Sequence, residues 1–246
     1  MSAESTRIVL ATSLGLVAAG SNLLGGYFVF RRDWPHQFLR YFLALGAGYM
    51  LGVALLDIIP ESLRLAGPNA LLYVVCGYFL VHFFEHTLAP HFHFGEETHG
   101  EAVRRAHAGT TALIGLAIHT FFDGVAIASG FLVSTWLGAA IFIAIFLHKL
   151  PEGFAVASLM LATGRSRRGA LLASSLLGVA TLAGVFVTDA LRAQVGYALP
   201  LSGGVTLYVA ASDLIPEVNR ELSWRMAVLV FAGPVILLIL KRLFAA

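Results

Sequence analysis

Charge is scarce in this sequence. Of its 246 residues only 12% are Asp, Glu, Lys or Arg, about half the share of a typical soluble domain, which excludes a water-facing surface of ordinary polarity. Cysteine is scarcer still. Cys76 is the single one and lies in an apolar stretch, so no disulfide framework is possible and the redox compartment cannot be read. No polar linker is long enough to separate domains. The net charge of +2 is small and sits in short loops, a topology signal and not a nucleic-acid surface. Residues 8–30 are too long for a removed leader and lack its flanks and cleavage site, so they are read as a first span.

What fills the chain is apolar. Hydrophobic residues make up 58% of it, in blocks of roughly 20, about the length that crosses ~30 Å of hydrocarbon as a helix. The fold expected is all-α, a polytopic membrane protein with one transmembrane domain over residues 1–246. Eight spans are expected, at about 7–30, 39–62, 69–90, 108–132, 135–162, 169–191, 197–218 and 223–244. The longest connection, 91–107, is polar and His-rich. Arg31, Arg32, Arg40, Arg104, Arg105, Arg165, Arg167, Arg168, Arg220 and Arg225, ten in all, fall in loops on one side. Arg7, Arg64, Arg192, Lys241 and Arg242, five in all, fall on the other, and Lys149 is the sixteenth basic residue. The richer side is cytoplasmic, which puts both termini outside and the His-rich loop inside. Membership of the plasma (inner) membrane is expected.

Two motifs occur twice in opposite orientation. "LLDIIPES" (55–62) ends span 2 and resembles "ASDLIPEV" (211–218), which ends span 7. "HTFFDG" (119–124) in span 4 and "HKLPEG" (148–153) in span 5 share the form H-x-x-x-[Asp/Glu]-Gly. Inverted pairs of this kind point to transporters, with the site near the midplane. Residues i and i+4 share a helix face, so His119 points with Asp123 and His148 with Glu152. A tight "VSTW" turn (133–136) lets the two helices face each other. Two imidazoles and two carboxylates then suit Zn²⁺ or another borderline divalent metal. Interhelical hydrogen bonds alone are the plain alternative, but four liganding groups at one depth in costly surroundings suggest an ion pathway. Gly124 and Gly153 permit close helix approach. Pro151 frees the carbonyl of Leu147, either for an ion or as a simple kink.

Lys149 lies about 14 residues from either end of its span, ~20 Å by helical rise. Its side chain reaches only ~6 Å, too short to bring the ammonium to water. It needs an anionic partner nearby: Glu152 is three residues on, and Asp123 can approach from span 4.

The pair "HTFFDG" and "HKLPEG" on consecutive helices resembles the signature of the ZIP (Zrt/Irt-like protein) family of divalent-metal transporters, of the prokaryotic type. The eight spans, outside termini and His-rich loop between spans 3 and 4 are similar too. The resemblance implies a metal site between spans 4 and 5, movement of metal into the cytoplasm, and an elevator-like motion of one helix group against another. It implies no prosthetic cofactor, only the transported divalent metal, with Zn²⁺ favoured over Fe²⁺, Mn²⁺ and Cd²⁺. Partners implied are divalent metal ions and the lipid bilayer, with no nucleic acid; a homodimer is left open. Family members often carry Asn after the first His and an acidic residue after the second, which build a second metal site. Here those positions are Thr120 and Lys149, and residues 169–188 contain no acid. A second site is therefore expected to be absent, with the Lys149 ammonium in its place.

Other candidates are weaker. Asp57 in span 2 reads as an entrance ligand or a late partner of the central site, and Met50 as a thioether donor or plain packing. His82, Glu85 and His86 of span 3 form an exit site with Asp213 and Glu217 of span 7, or are ordinary interfacial residues. The 91–107 loop buffers metal or is an inert linker. Asp189 pairs with Arg192 on the surface. Two competing functions fit less well. An intramembrane metal-dependent hydrolase needs an open coordination position and a general base, and no H-E-x-x-H motif is present. A cation-diffusion-type metal/proton exporter also uses H-x-x-x-D, but with six spans and a soluble C-terminal domain.

Overall fold

So many side chains are apolar that the helices must carry them on both their inner and outer faces. A computed structural model describes residues 3–31, 36–87, 108–220 and 223–244. Among them are ten α-helices. These are α1 (Ala3–Phe28), α2 (His36–Val53), α3 (Ile59–Ala66), α4 (Ala70–Thr87) and α5 (Ala108–Val133), then α6 (Thr135–Ala162), α7 (Arg167–Ala190), α8 (Val195–Tyr208), α9 (Ile215–Asn219) and α10 (Trp224–Phe244). Large apolar residues such as Phe83, Leu172, Phe186 and Phe231 point outward. Asn22, Asp57, His119, Asp123, His148, Lys149, Glu152 and Asp213 are buried. That arrangement suits a hydrocarbon solvent, in which outward apolar surface costs nothing and polar groups must find partners inside.

Among the described residues seven stretches are long and apolar enough to cross a membrane, against the eight expected. The difference lies in Gln37–Thr87, which runs for 51 residues as one stretch. A straight helix of that length would measure about 75 Å, over twice the ~30 Å of hydrocarbon. It is not straight. α3 ends at Gly67, whose φ of 63° belongs to the left-handed region that glycine occupies without a Cβ penalty. A 3₁₀ turn over Gly67–Asn69 then leads into α4, which packs against α3 and more extensively against α8. The His-rich loop, with Arg32, Arg104 and Arg105, lies outside the described residues.

Among the described residues two helices widen into π turns, at Ala54–Ile58 and Val209–Leu214. In each the amide of the following isoleucine donates five residues back, Ile59 to Ala54 O and Ile215 to Ala210 O. A proline comes next, Pro60 or Pro216, which has no N–H to give. These are the two "D-x-I-P"-like motifs, and each turn carries its aspartate, Asp57 or Asp213, into the interior. Such one-turn bulges frequently mark functional sites.

The remaining helices form the frame of the site. α5 packs on α6 and α7, α6 on α1 and α2, α1 on α7, and α2 on α10. The glycines of the H-x-x-x-[Asp/Glu]-Gly motifs work outward from the α5–α6 pair. A Cβ on Gly124 would meet Thr181 O of α7 at 1.9 Å, and one on Gly153 would meet Asn22 O of α1 at 2.0 Å. The close approach they permit is therefore to α7 and α1.

Candidate metal centre

α5 and α6 are joined by Ser134 alone. Its extended backbone turns the chain, and its hydroxyl accepts from Leu137 N at 3.1 Å, satisfying one of the free amides that begin α6. The helices run back antiparallel, so that Asp123 meets His148 and His119 meets Glu152. α6 stays helical through Pro151, and Gly46 of α2 packs against Leu147 beside it.

His119, Asp123, His148 and Glu152 each offer one ligand atom, and these four atoms lie within 4.8 Å of one another. None of the four side chains is more than 1% exposed. His119 Nε2 is 3.2 Å from Glu152 Oε1 and 3.8 Å from Asp123 Oδ2, and His148 Nε2 is 3.4 Å from Asp123 Oδ2. His148 Nδ1 lies 3.1 Å from Ala144 O. A carbonyl only accepts, so Nδ1 carries a proton, and Nε2 is the ring nitrogen turned to the cluster. Among the described residues, His119 Nε2, His148 Nε2 and Asp123 Oδ1 have no hydrogen-bond partner. Two imidazoles and two carboxylates converging on one buried point suit a cation.

The fifth member is Lys149. Its Nζ stands 2.6 Å from Asp123 Oδ2 and 2.5 Å from Glu152 Oε2, and donates to Thr120 Oγ1 at 3.2 Å. Thr120 in turn donates to Glu152 Oε1 at 2.5 Å. Two carboxylates and one ammonium together carry a charge of −1. Burying these charges is tolerable because each is paired and hydrogen-bonded. Asn22 of α1 completes the group: with its amide turned so that the nitrogen faces the acceptors, it donates to Lys149 O at 2.6 Å and to Glu152 Oε2 at 3.2 Å. Sequence reasoning passed over Asn22. A lone carboxamide in an otherwise apolar first span was the available signal.

The flanking candidates are not drawn into this cluster. Asp57 pairs with Lys241 of α10, and Leu56 O accepts from the same Nζ at 3.4 Å. Asp57, Glu61, Arg64, Trp136 and Lys241 line an open cavity of about 480 Å³ beside the α5–α6 turn. Met50 is fully buried in the apolar core. On the far side Asp213 lies within electrostatic reach of both Glu85 and His119, and Tyr208 donates to Glu85. His82 and His86 stack at 4.1 Å, and His82 sits edge-on to Tyr208 at 5.9 Å. Glu217 is paired with Arg220 at 3.1 Å. Asp189 and Arg192 form the surface pair expected of them, at 3.7 Å.

Fold and site together define a multi-pass helical membrane protein with a buried histidine–carboxylate cluster suited to a divalent metal. A family profile described as "ZIP Zinc transporter" matches residues 93–241, which is 149 of the 246 residues. The chain belongs to the ZIP zinc transporter family, whose members are transporters and not enzymes. It is similar to Zinc transporter ZIP9-B of Xenopus laevis, 27% identical over 237 residues covering 76% of this chain and 78% of that protein. It is 33% identical to Zinc transporter ZIP9 of Xenopus tropicalis over 143 residues, covering 53% and 46% of the two chains. With Zinc transporter ZIP4 of Homo sapiens it shares 32% over 110 residues, 44% of this chain and 17% of that protein. The chain thus spans less than half the length of the last two.

Proposed function

We propose that this protein carries Zn²⁺ across the membrane into the cytoplasm, taking the ion between α5 and α6 at the cluster of His119, Asp123, His148 and Glu152. The observation that carries this reading is the convergence of four buried potential ligand atoms within 4.8 Å on neighbouring apolar helices. Relatives named as zinc transporters make Zn²⁺ the first cargo to test. Fe²⁺, Mn²⁺ and Cd²⁺ are competitors, since mixed nitrogen and oxygen sites discriminate weakly. Lys149 takes the place of a second metal ion, which makes the centre mononuclear.

The wider architecture follows the same reading. Gln37–Thr87 counts as two crossings on either side of Gly67, giving eight spans in one domain over residues 1–246, with both termini extracytoplasmic and the 91–107 loop cytoplasmic. Inverted repeats are supported by the paired π turns and by mirrored packing: α1 on α6 corresponds to α7 on α5, and α2 on α10 to α8 on α4. Asp57, with Met50 behind it, serves the entrance. Asp213, Glu85, His82, His86 and Glu217 serve the exit. The protein is of the prokaryotic type of its family.

Proteoliposome flux of Zn²⁺, with competing metals, tests the reading on wild type and His148→Ala. Loss of an imidazole ligand should lower zinc flux by about 100-fold or more. Undiminished flux in His148→Ala would overturn the site.

A further inference from the structure

We infer that the corner where α6 turns into α7 binds an anionic phospholipid, its phosphate held by Arg165, Arg167 and Arg168 and one acyl chain laid along the outer face of α7. Which leaflet supplies the lipid follows from the orientation proposed above, the cytoplasmic one; the site itself does not depend on it.

Three of the four residues 165–168 are arginines, and all three are exposed. A tight turn presents them: Gly164 has a φ of 81°, and Arg165 N donates to Met160 O at 2.9 Å. The Arg167 guanidinium stands 5.4 Å from the centre of the Phe30 ring, which brings the end of α1, with Arg31 next in sequence, to the same corner. Other arginines of the molecule are neutralised locally. Arg64, Arg192 and Arg220 each pair with an acid three residues away. Residues 154–188 contain no acid, and among the described residues no carboxylate pairs with Arg165, Arg167 or Arg168. Positive charge gathered in this way draws an anion, and guanidinium groups suit the oxygens of a phosphate.

A signal for membrane topology needs only the charge, on any loop of that side. It does not need the charge in register with an apolar stripe, and that register is present. Arg168, Leu172, Leu176 and Val179 recur at helical spacing on one face of α7. The three apolar side chains are 69%, 48% and 60% exposed, while the other side of α7 packs on α5 and α1. Val179 lies ~16 Å from Arg168 by helical rise, about half of the ~30 Å of hydrocarbon and so the depth that one acyl chain reaches. A phosphate ester with an acyl tail meets both parts of this surface, whereas a free phosphate meets only the first. A choline headgroup carries its own cation and offsets the attraction, so the lipid selected is one with net negative charge, such as phosphatidylglycerol.

The full chain reconstituted in phosphatidylcholine bilayers, with a trace of spin-labelled phosphatidylglycerol or phosphatidylcholine, reports how strongly each lipid is held at the protein surface. Wild type should favour phosphatidylglycerol by about fivefold or more, the worth of at least one arginine beside an anionic lipid, and the preference should shrink at high salt. Replacing Arg165, Arg167 and Arg168 together by Gln should bring the two lipids to about parity. Should that variant fail to fold, Arg165→Gln with Arg168→Gln is read in the same way. Arg220→Gln removes a charge from the same end of the molecule but not from this corner, and should leave the preference unchanged. No preference in wild type, or a preference that survives in the arginine variants, would overturn the inference. An equal loss in Arg220→Gln would show a diffuse field and not a site. Displacement of the labelled lipid by millimolar inorganic phosphate would show an anion site that ignores the acyl chain, and would overturn it too. His148→Ala, which tests zinc transport, should keep the lipid preference, so that failure of either reading is seen without the other.

Discussion

At the centre of the molecule α5 and α6 bring four potential ligands within 4.8 Å and hold a lysine against both carboxylates. The two π turns are built from the same residue types, yet each brings only one aspartate inward and takes its partner from another helix. They also differ from each other. Asp57 is met by an ammonium, Lys241 of α10, whereas Asp213 lies within electrostatic reach of the carboxylate Glu85 of α4 and of His119. The same bulge followed by Ile-Pro thus places one acid beside a cation at the α5–α6 turn and the other among acids at the opposite end. A divalent ion would have to displace a tethered charge at the first turn. At the second it would meet two acids, Asp213 and Glu85, close enough to repel each other. The centre combines both features: a tethered cation and acceptors left over.

Removing the cation from the centre should give the largest effect. Lys149→Ala leaves two fully buried carboxylates facing each other without compensation, and breaking a buried pair in this way costs about 3–5 kcal/mol. Thermal unfolding in detergent should show a markedly lower midpoint than wild type, with zinc flux lost in vesicles. Unaltered stability and full flux would mean that Lys149 is a bystander. Giving the second turn the cation of the first should come next. Glu85→Lys would place an ammonium near Asp213 as Lys241 stands near Asp57, and zinc flux should fall by about tenfold through repulsion along the pathway. Wild-type flux in that variant would break the comparison, because it would show that the sign of charge at this turn does not matter.

Much of this was readable beforehand, and the limits have physical causes. Apolar blocks of helix-spanning length made the all-α membrane architecture legible, since only helices and closed barrels satisfy the backbone in hydrocarbon and a barrel strand needs only about 10 residues. Spacing put His119 with Asp123 and His148 with Glu152 because a helix returns to the same face after four residues. The i, i+3 relation of Lys149 and Glu152 was likewise visible. Contacts set by packing were not. The Asp57–Lys241 pair joins residues 184 positions apart, and periodicity says nothing about which distant helix lies alongside. The π turns change the register by one residue, a shift that the Asp-containing motifs hint at through their prolines but do not specify. Asn22 escaped notice because one amide in an apolar span ordinarily serves helix association. Its importance depends on α1 lying against Gly153, where its carbonyl is in contact with the site of the missing Cβ.

The smallest effect belongs to Lys241→Met, and it sharpens the contrast between the turns most directly. Lys241 is 42% exposed at its side chain while Asp57 is 4% exposed, so the pair sits at the wall of the cavity and not in the dry interior. Water and salt weaken such a pair to about 0–1 kcal/mol, so stability should hardly change. The effect should appear instead in how zinc enters. With the ammonium gone, Asp57 presents an uncompensated carboxylate to the cavity, and the arriving dication no longer competes with a tethered cation for it. Zinc flux at concentrations below half-saturation should rise by about two- to threefold, the maximal rate should hold, and the gain should shrink at high ionic strength as the local field is screened. Asp57→Asn should cancel the gain when combined with Lys241→Met. A lower flux in Lys241→Met alone would show that the lysine recruits or orders the entrance, and the two turns would then differ in kind and not merely in the charge beside their aspartates.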